Sequence, residues 1–263
     1  MTVIDRIYEA LDRDDPERAF ELAAEALSEG DDPVLRFLGG VALSEIGRTR
    51  AALDEFRRSV ELDPDDHEYR SQLALAMFRD CRFDESEAEV RRILEDDADF
   101  SDALVLRAML LERRGRFEDA DRDLMRAHEI DPERFPPPIR LPRSEFEAEI
   151  ERAADELPAR FRKPLDEVTT FVEDVPSEEI LTESDPPLDP ELLGLFVGVA
   201  LPDQTHFSVG GDIPPRILLF QRNLERMVST PEELRREIAI TLFHELGHYL
   251  GLDEDELAEI DLA

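Results

Sequence analysis

The sequence predicts an α+β protein in two parts: an N-terminal α-solenoid of paired helices, then a small α+β domain with a short sheet. Three observations lead to this prediction. Residue types recur every 34 positions in the first half, a proline-rich stretch then interrupts the helical pattern, and short apolar runs typical of strands follow it. We therefore expect domains at residues 1–134 and 144–263, joined by a linker at 135–143.

The 34-residue period places small or turn-forming residues at equivalent positions. Thirty-four residues suffice for two antiparallel helices and two turns. Small side chains let the two helices approach closely, and the prolines end each unit. The matching sets are Gly40, Ala74 and Ala108; Gly47, Cys81 and Gly115; Ala52, Ser86 and Ala120; and Pro64, Ala98 and Pro132.

These positions resemble the tetratricopeptide repeat (TPR). The matching units are residues 33–66, 67–100 and 101–134, and a degenerate unit at 3–32 precedes them. The resemblance implies an α-solenoid whose concave groove docks a peptide or protein, so we expect a substrate or partner of that kind. The alternative is that the helices only support the second domain.

The second half shows a helix and three strand-like runs. The stretch before it contains four prolines, which cannot continue a helix. A new helix is predicted from Ser144, with Glu147 completing a capping box. The strand-like runs are VTTFVEDV, LGLFVGVAL and RILLF. The last of them is expected to pair with an extended substrate, as an exposed sheet edge does.

The C-terminal segment carries the residues with the clearest chemistry. A helix is predicted to start at Thr230 and to end before Gly251. Inside it, His244 and His248 are four positions apart and lie on one face, so both imidazoles can bind one metal ion. Glu245 lies beside the first histidine, where it can accept a proton from the attacking water.

The motif continues beyond the second histidine as H-E-L-G-H-Y-L-G-L-D-E. This resembles the H-E-x-x-H-x-x-G-x-x-(H/D) pattern of metzincins and aspartate-ligand zincins. Glu254 occupies the position of the third metal ligand, and Asp253 is the alternative. Residues 144–263 as a whole look like a small zincin-like, minimal metallopeptidase domain, through the segments Leu192–Leu201, Arg216–Arg226 and His244–Glu254. The resemblance implies a Zn²⁺ cofactor.

Other candidate residues have plainer interpretations. His206 could polarise a substrate carbonyl, or could be an ordinary surface histidine. Tyr249 could do the same only if its ring faced the cleft, and packing in the core is the expected role. Cys81 occupies a turn position and is assigned no chemistry; as the single cysteine it excludes a disulfide framework.

Composition restricts the class of partner. The chain has 66 acidic and 31 basic residues and a net charge of −35, which repels phosphate backbones, so no nucleic-acid partner is expected. No apolar run approaches the ~20 residues of a membrane helix, and no signal peptide is recognised, so we expect no membrane partner and a cytoplasmic location. The acidity fits either a surface adapted to high salt or a general composition bias.

The function expected from these features is a zinc-dependent metallopeptidase that hydrolyses peptide bonds, with the repeats docking a substrate or partner. Two alternatives remain: a non-catalytic zinc-binding TPR scaffold, and a repeat scaffold without a metal.

Overall fold

The computed structural model describes residues 1–201, 214–253 and 256–257, except the side chains of residues 159 and 160. The chain folds into two compact units. The first unit comprises residues 1–135 and 177–190, and the second comprises 136–176 and 191–263. Among the described residues, no helix combines the length and the apolar character needed to cross a bilayer.

The first unit consists mainly of antiparallel helix pairs, which confirms the solenoid predicted from the repeats. Each predicted 34-residue unit contains two helices separated by a short turn. The helices are α1 Val3–Leu11, α2 Pro16–Leu27, α3 Pro33–Glu45, α4 Thr49–Leu62, α5 His67–Arg79, α6 Phe83–Asp96, α7 Ser101–Arg113 and α8 Phe117–Ile130.

Small residues and left-handed turns account for the tight pairing. A Cβ atom at Gly40 would lie 2.6 Å from Cε1 of Phe56, so only glycine lets α3 meet α4 at this distance. The turn within each of the three 34-residue units uses a residue with positive φ: 78° at Gly47, 57° at Cys81 and 69° at Gly115. Glycine adopts this region freely, whereas Cys81 adopts it at a steric cost.

Arginine–carboxylate pairs join helices at repeating positions. Arg36 Nη1 lies 2.9 Å from Glu55 Oε2, and Arg70 Nη1 lies 2.5 Å from Glu89 Oε2, each residue being 34 positions from its counterpart. These pairs connect the two helices of a repeat. The same acidic faces that give the chain its net charge therefore also hold its arginines in place.

The second unit combines a three-stranded sheet with helices. In chain order, α9 Arg143–Glu156, α10 Ala159–Leu165, β1 Thr169–Glu173, β2 Gly194–Val197, β3 Arg216–Phe220, α12 Gln221–Met227 and α13 Pro231–Leu250 belong to it, while α11 Glu178–Leu181 belongs to the first unit. The strand order is β1-β3-β2, with β3 parallel to β1 and antiparallel to β2. The three predicted strands are confirmed.

Two details differ from the sequence-based expectations. Helix α9 starts one residue before Ser144, after Pro142, and has no side-chain cap, so the predicted capping box is wrong. The run RILLF is β3, the central strand, whose two edges are already paired with β1 and β2. Its predicted role as a free edge for substrate is therefore wrong, because strand order depends on non-local pairing.

The core of the second unit lies between the sheet and the long helices. Phe161 and Phe243 meet edge to face with ring centroids 4.9 Å apart, which connects α10 to α13. Phe146 on α9 and Ile217 on β3 are fully buried in the same cluster. Helix α13 thus rests on β2, β3 and α9, and this packing fixes the helix that carries the two motif histidines. The predicted limits of the domains and of the linker stay a prediction.

Candidate metal centre

The helix α13 begins and ends as its sequence predicts. Thr230 Oγ1 accepts the N–H of Glu233 at 3.2 Å, and Glu233 Oε2 accepts the N–H of Thr230 at 3.0 Å, which completes the capping box. Pro231 occupies the first turn, where its missing N–H costs nothing. Gly251 ends the helix with a φ of 81°, in the left-handed region.

The two motif histidines meet on one face of α13. Their Nε2 atoms lie 3.0 Å apart, and their rings are nearly perpendicular with centroids 4.6 Å apart. Zinc binds imidazole nitrogen at about 2.0–2.1 Å, so a single ion can contact both atoms at this separation. Both histidines are half-buried. The geometry of His244 and His248 fits a shared metal ion.

Glu245 is buried beside this pair and is held by the sheet. Glu245 is only 7% exposed, and its Oε2 accepts the backbone N–H of Phe196 at 2.6 Å. Phe196 lies on β2, an edge strand, and its amide is bound by Glu245 instead of by β3. Since a carboxylate accepts several hydrogen bonds, this contact orients the group without using all its acceptor capacity.

Gly194 on β2 makes the close approach of strand and helix feasible. A Cβ atom there would lie 2.7 Å from Thr241 Cγ2 and 2.9 Å from Glu245 Cγ. This residue is not among the candidates that the sequence motifs indicate. A glycine inside an otherwise apolar strand is the signal that could have identified it, because such a glycine often marks a close backbone approach.

After Gly251 the chain turns back onto α13. Leu252 N–H donates to Gly247 O at 3.0 Å, and Leu257 is buried against the same glycine, where a Cβ atom would lie 2.2 Å from Leu257 Cδ2. Asp253, the alternative third ligand, is exposed, and its Oδ1 accepts the N–H of Glu256 at 2.9 Å. The chain therefore folds back onto α13 directly after Gly251, and the predicted role of residue 254 as a ligand stays a prediction.

The other candidate residues named from the sequence are Glu254, His206 and Tyr249. Glu254 and His206 lie outside the residues that the structure describes. Tyr249 is 2% exposed, its ring packs against Phe196 and its hydroxyl donates to Glu167 Oε2 at 3.3 Å, which confirms the packing role. Within the described ranges, no group of three His, Cys, Asp or Glu side chains is arranged to hold a metal ion.

Comparison with known proteins gives one family match and several structural likenesses. Residues 165–263 match the zincin-like metallopeptidase family. No curated protein sequence matches the chain significantly.

The structural likenesses are to YrrB and MamA. YrrB, described as a TPR protein with an unusual peptide-binding site, is 23% identical to this chain, with a TM-score of 0.42. The match covers 47% of this chain and 64% of YrrB. A MamA structure is 17% identical with a TM-score of 0.44, covering 50% of this chain and 76% of MamA. MamA from Desulfovibrio magneticus RS-1 is 16% identical with a TM-score of 0.44, and the match covers 57% of this chain and 80% of that MamA chain.

The helix pairs of the first unit follow the 34-residue period of the sequence, with their small residues and turns in register. The chain therefore combines TPR-like helix pairs with a region, residues 165–263, that matches the zincin-like metallopeptidase family.

Proposed function

We propose that the protein is a zinc-dependent peptidase that hydrolyses peptide bonds and whose repeats dock a substrate or partner protein. The observation that carries the proposal is the Nε2 pair of His244 and His248, 3.0 Å apart, next to the buried Glu245. The match of this region to zincin-like metallopeptidases supports the same chemistry. The predicted cytoplasmic location stays a prediction.

In this proposal each motif residue has one role. His244, His248 and Glu254 would hold the zinc ion, which when bound supplies a Lewis acid that polarises a carbonyl and makes water more acidic. Glu245 would be the general base: it takes a proton from the attacking water and passes it to the leaving amine. Phe196 N–H keeps one carboxylate oxygen in position for this transfer.

The metal assignment is tested by composition analysis of purified variants. We expect about one zinc per chain in the wild type, and loss of that zinc in His244→Ala and His248→Ala, because each change removes one nitrogen ligand. His67→Ala is the matched control, since His67 lies on α5 and packs edge-on against Phe100. Full zinc occupancy in the double variant His244→Ala, His248→Ala would contradict the site.

The catalytic assignment is tested with Glu245→Gln. The amide preserves the size of the side chain but cannot accept the proton, so zinc should stay bound while hydrolysis falls about 10²–10⁴-fold. Cleavage of a broad peptide library should be compared at equal zinc occupancy, because a metal-free protein would imitate the result. Wild-type cleavage that survives the substitution unchanged would assign the activity to another base or to a contaminant.

A second candidate function is a zinc-binding scaffold without catalysis. The observation that favours it is the 2.6 Å hydrogen bond by which Glu245 holds β2 against α13, a structural use of the same carboxylate. Under this alternative, zinc-loaded wild type cleaves no library peptide, and the only effect of Glu245→Gln is a lower free energy of unfolding. A protein that lacks zinc altogether would leave the third alternative, a repeat scaffold.

A further inference from the structure

Residues 177–190, here called the acidic segment, connect β1 to β2 of the second unit but pack with the repeats of the first unit. The segment has five carboxylates and no basic residue, and three of its residues are proline. Such a composition does not bury itself readily. Its ordered packing within the first unit therefore requires specific contacts with the repeat helices.

The segment contacts the turns between the helices of successive repeats. Asp185 Oδ1 lies 2.6 Å from Arg50 Nη2, and Arg50 Nε also lies 3.2 Å from Asp80 Oδ1. Cys81 Sγ donates to the backbone carbonyl of Leu188 at 3.7 Å. One arginine thus bridges the segment to the turn at Asp80 and Cys81, and the half-buried thiol contacts the segment.

An apolar anchor accompanies these polar contacts. Leu181 has no exposed surface, whereas the five residues after it are all exposed. Leu188 N–H donates to Leu181 O at 2.9 Å, so the exposed stretch forms a loop closed at its base. A leucine buried at the base of an acidic, exposed loop is the arrangement of an anchor residue with a polar rim, as found where one protein binds another.

The repeats place two arginines, Arg50 and Arg113, near Cys81. Arg113 is half-buried, stacks 3.9 Å from the ring centroid of Phe83, and interacts electrostatically with Glu178 and Cys81. Burial, opposed by the charge of Arg113, raises the pKa of the Cys81 thiol to about 11. Arg50 and Arg113 therefore present positive charge to an acidic ligand on a molecule that is otherwise strongly negative.

We propose that this repeat surface, between Arg50 and Arg113, is a docking site for acidic, leucine-containing segments of a partner protein, and that residues 177–190 are its ligand in cis. The inference deepens the docking role in the proposed function and rests on it. An open pocket of about 350 Å³ beside Pro186 and Pro187, lined by Arg50 and other residues of the turns, leaves room for a longer partner segment. Because a tethered ligand acts at roughly millimolar effective concentration, the cis segment weakens the apparent affinity for any partner.

The test measures binding of a fluorescein-labelled synthetic peptide with the sequence of residues 177–190 to the full-length protein by anisotropy. Leu181→Ser weakens the cis competitor, so the peptide should bind this variant at least tenfold more tightly than the wild type. Adding Arg50→Glu to that variant damages the surface itself and should reverse the gain. Asp185→Lys, at an exposed position, should also strengthen peptide binding, through like-charge repulsion between the cis segment and Arg50.

Reaction of Cys81 with Ellman's reagent reports independently whether the segment has left, since this is the only cysteine. Thiol labelling should be faster in Leu181→Ser and Asp185→Lys than in the wild type. Unchanged labelling, or a peptide that binds neither variant, would overturn the proposal. A dimer of Leu181→Ser by light scattering without peptide binding would assign the surface to a second copy of this chain and would also overturn it. None of these measurements depends on zinc or on hydrolysis. A failure of the docking proposal can therefore be distinguished from a failure of the catalytic role proposed for Glu245.

Discussion

At the scale of single residues, the candidate site depends on two glycines that allow their neighbours to pack closely against the backbone. Gly194 brings β2 against α13, and Gly247, directly before His248, admits the side chain of Leu257. At Gly194 the obstacles would be Thr241 Cγ2 and Glu245 Cγ, neither of which is the free end of a flexible side chain. Thr241 is β-branched and confined to few rotamers in a helix, so it cannot move away cheaply.

Gly194→Ala should therefore destabilise the second unit by about 1–3 kcal/mol, the usual cost of overpacking a close contact. It should also displace the carboxylate of Glu245 and reduce any hydrolysis, while zinc stays bound to the histidines. Urea unfolding followed by circular dichroism measures the change. Gly30→Ala is the control, because no atom lies within 4 Å of a Cβ atom there; equal unfolding midpoints for both variants would contradict this packing argument.

At the scale of elements, the short helix α12 fixes the proline-rich stretch onto the second unit. Glu225 is 1% exposed, and its Oε1 accepts the N–H of Leu141 at 3.0 Å and Nε2 of Gln221 at 2.7 Å. Its Oε2 lies 3.3 Å from Arg140 Nη1. One buried carboxylate thus organises residues that precede α9 by hydrogen bonds to backbone and side chains.

Glu225→Ala should cost about 3–5 kcal/mol in the free energy of unfolding, as expected when one partner of a buried charged network is removed. Glu225→Gln should cost less, because its amide oxygen can still accept the N–H of Leu141. The midpoint of urea unfolding distinguishes them. Glu151→Ala, at an exposed position on α9, should change stability by less than about 0.5 kcal/mol. A similar loss of stability in all three variants would contradict the role assigned to the Glu225 carboxylate.

The elements that the sequence predicts well are those with a local signal. The repeat helices follow from a strict 34-residue register, and α13 follows from its cap residues Thr230 and Glu233. The start of α9 differs from its prediction, because Pro142 ends the preceding stretch and places Arg143 in the helix before Ser144 can cap it. The packing of residues 177–190 on the repeats could not be predicted, since an acidic proline-rich run has no periodicity to show what it contacts.

The candidate site also combines a feature that the local sequence predicts with one that depends on the fold. The spacing of His244 and His248 suffices to bring their nitrogens together, because the period of a helix fixes that distance. The contact of Glu245 with Phe196 joins residues 49 positions apart and depends on β2 being an edge strand. No pattern along the chain encodes this strand order, so the second use of Glu245 emerges only from the fold.

At the scale of the whole molecule, net charge opposes the compact state. The chain carries −35 formal charges, although many arginines pair with carboxylates. Glu85 and Glu87 illustrate the favourable interactions that offset this repulsion. Hydrogen bonds from Arg82 to Glu85 and from Arg114 to Glu87 lower the pKa values of the two carboxylates. A lowered folded-state pKa contributes stability above the unfolded pKa, and this contribution is lost as the pH falls through the folded pKa. Such pairs therefore persist at pH values where ordinary carboxylates begin to protonate.

Raising NaCl from 0.01 M to 1 M should therefore raise the melting temperature at pH 7.5, by an amount on the order of 5 °C. The Debye length falls from about 30 Å to about 3 Å over this range, which removes the long-range repulsion among carboxylates. The loss from screening exposed ion pairs is smaller, because each is worth about 0–1 kcal/mol. Thermal unfolding by circular dichroism at both salt concentrations measures the difference.

The control for this prediction is the same pair of measurements near pH 4.5, close to the sequence pI of about 4.4. There the net charge is small, while the hydrogen bonds from Arg82 and Arg114 lower the pKa values of Glu85 and Glu87 and so favour their ionised, paired forms. Salt then has little repulsion to relieve and still screens the pairs, so the melting temperature should stay constant or fall. A rise of equal size at both pH values would show that salt acts through apolar burial and not through the net charge.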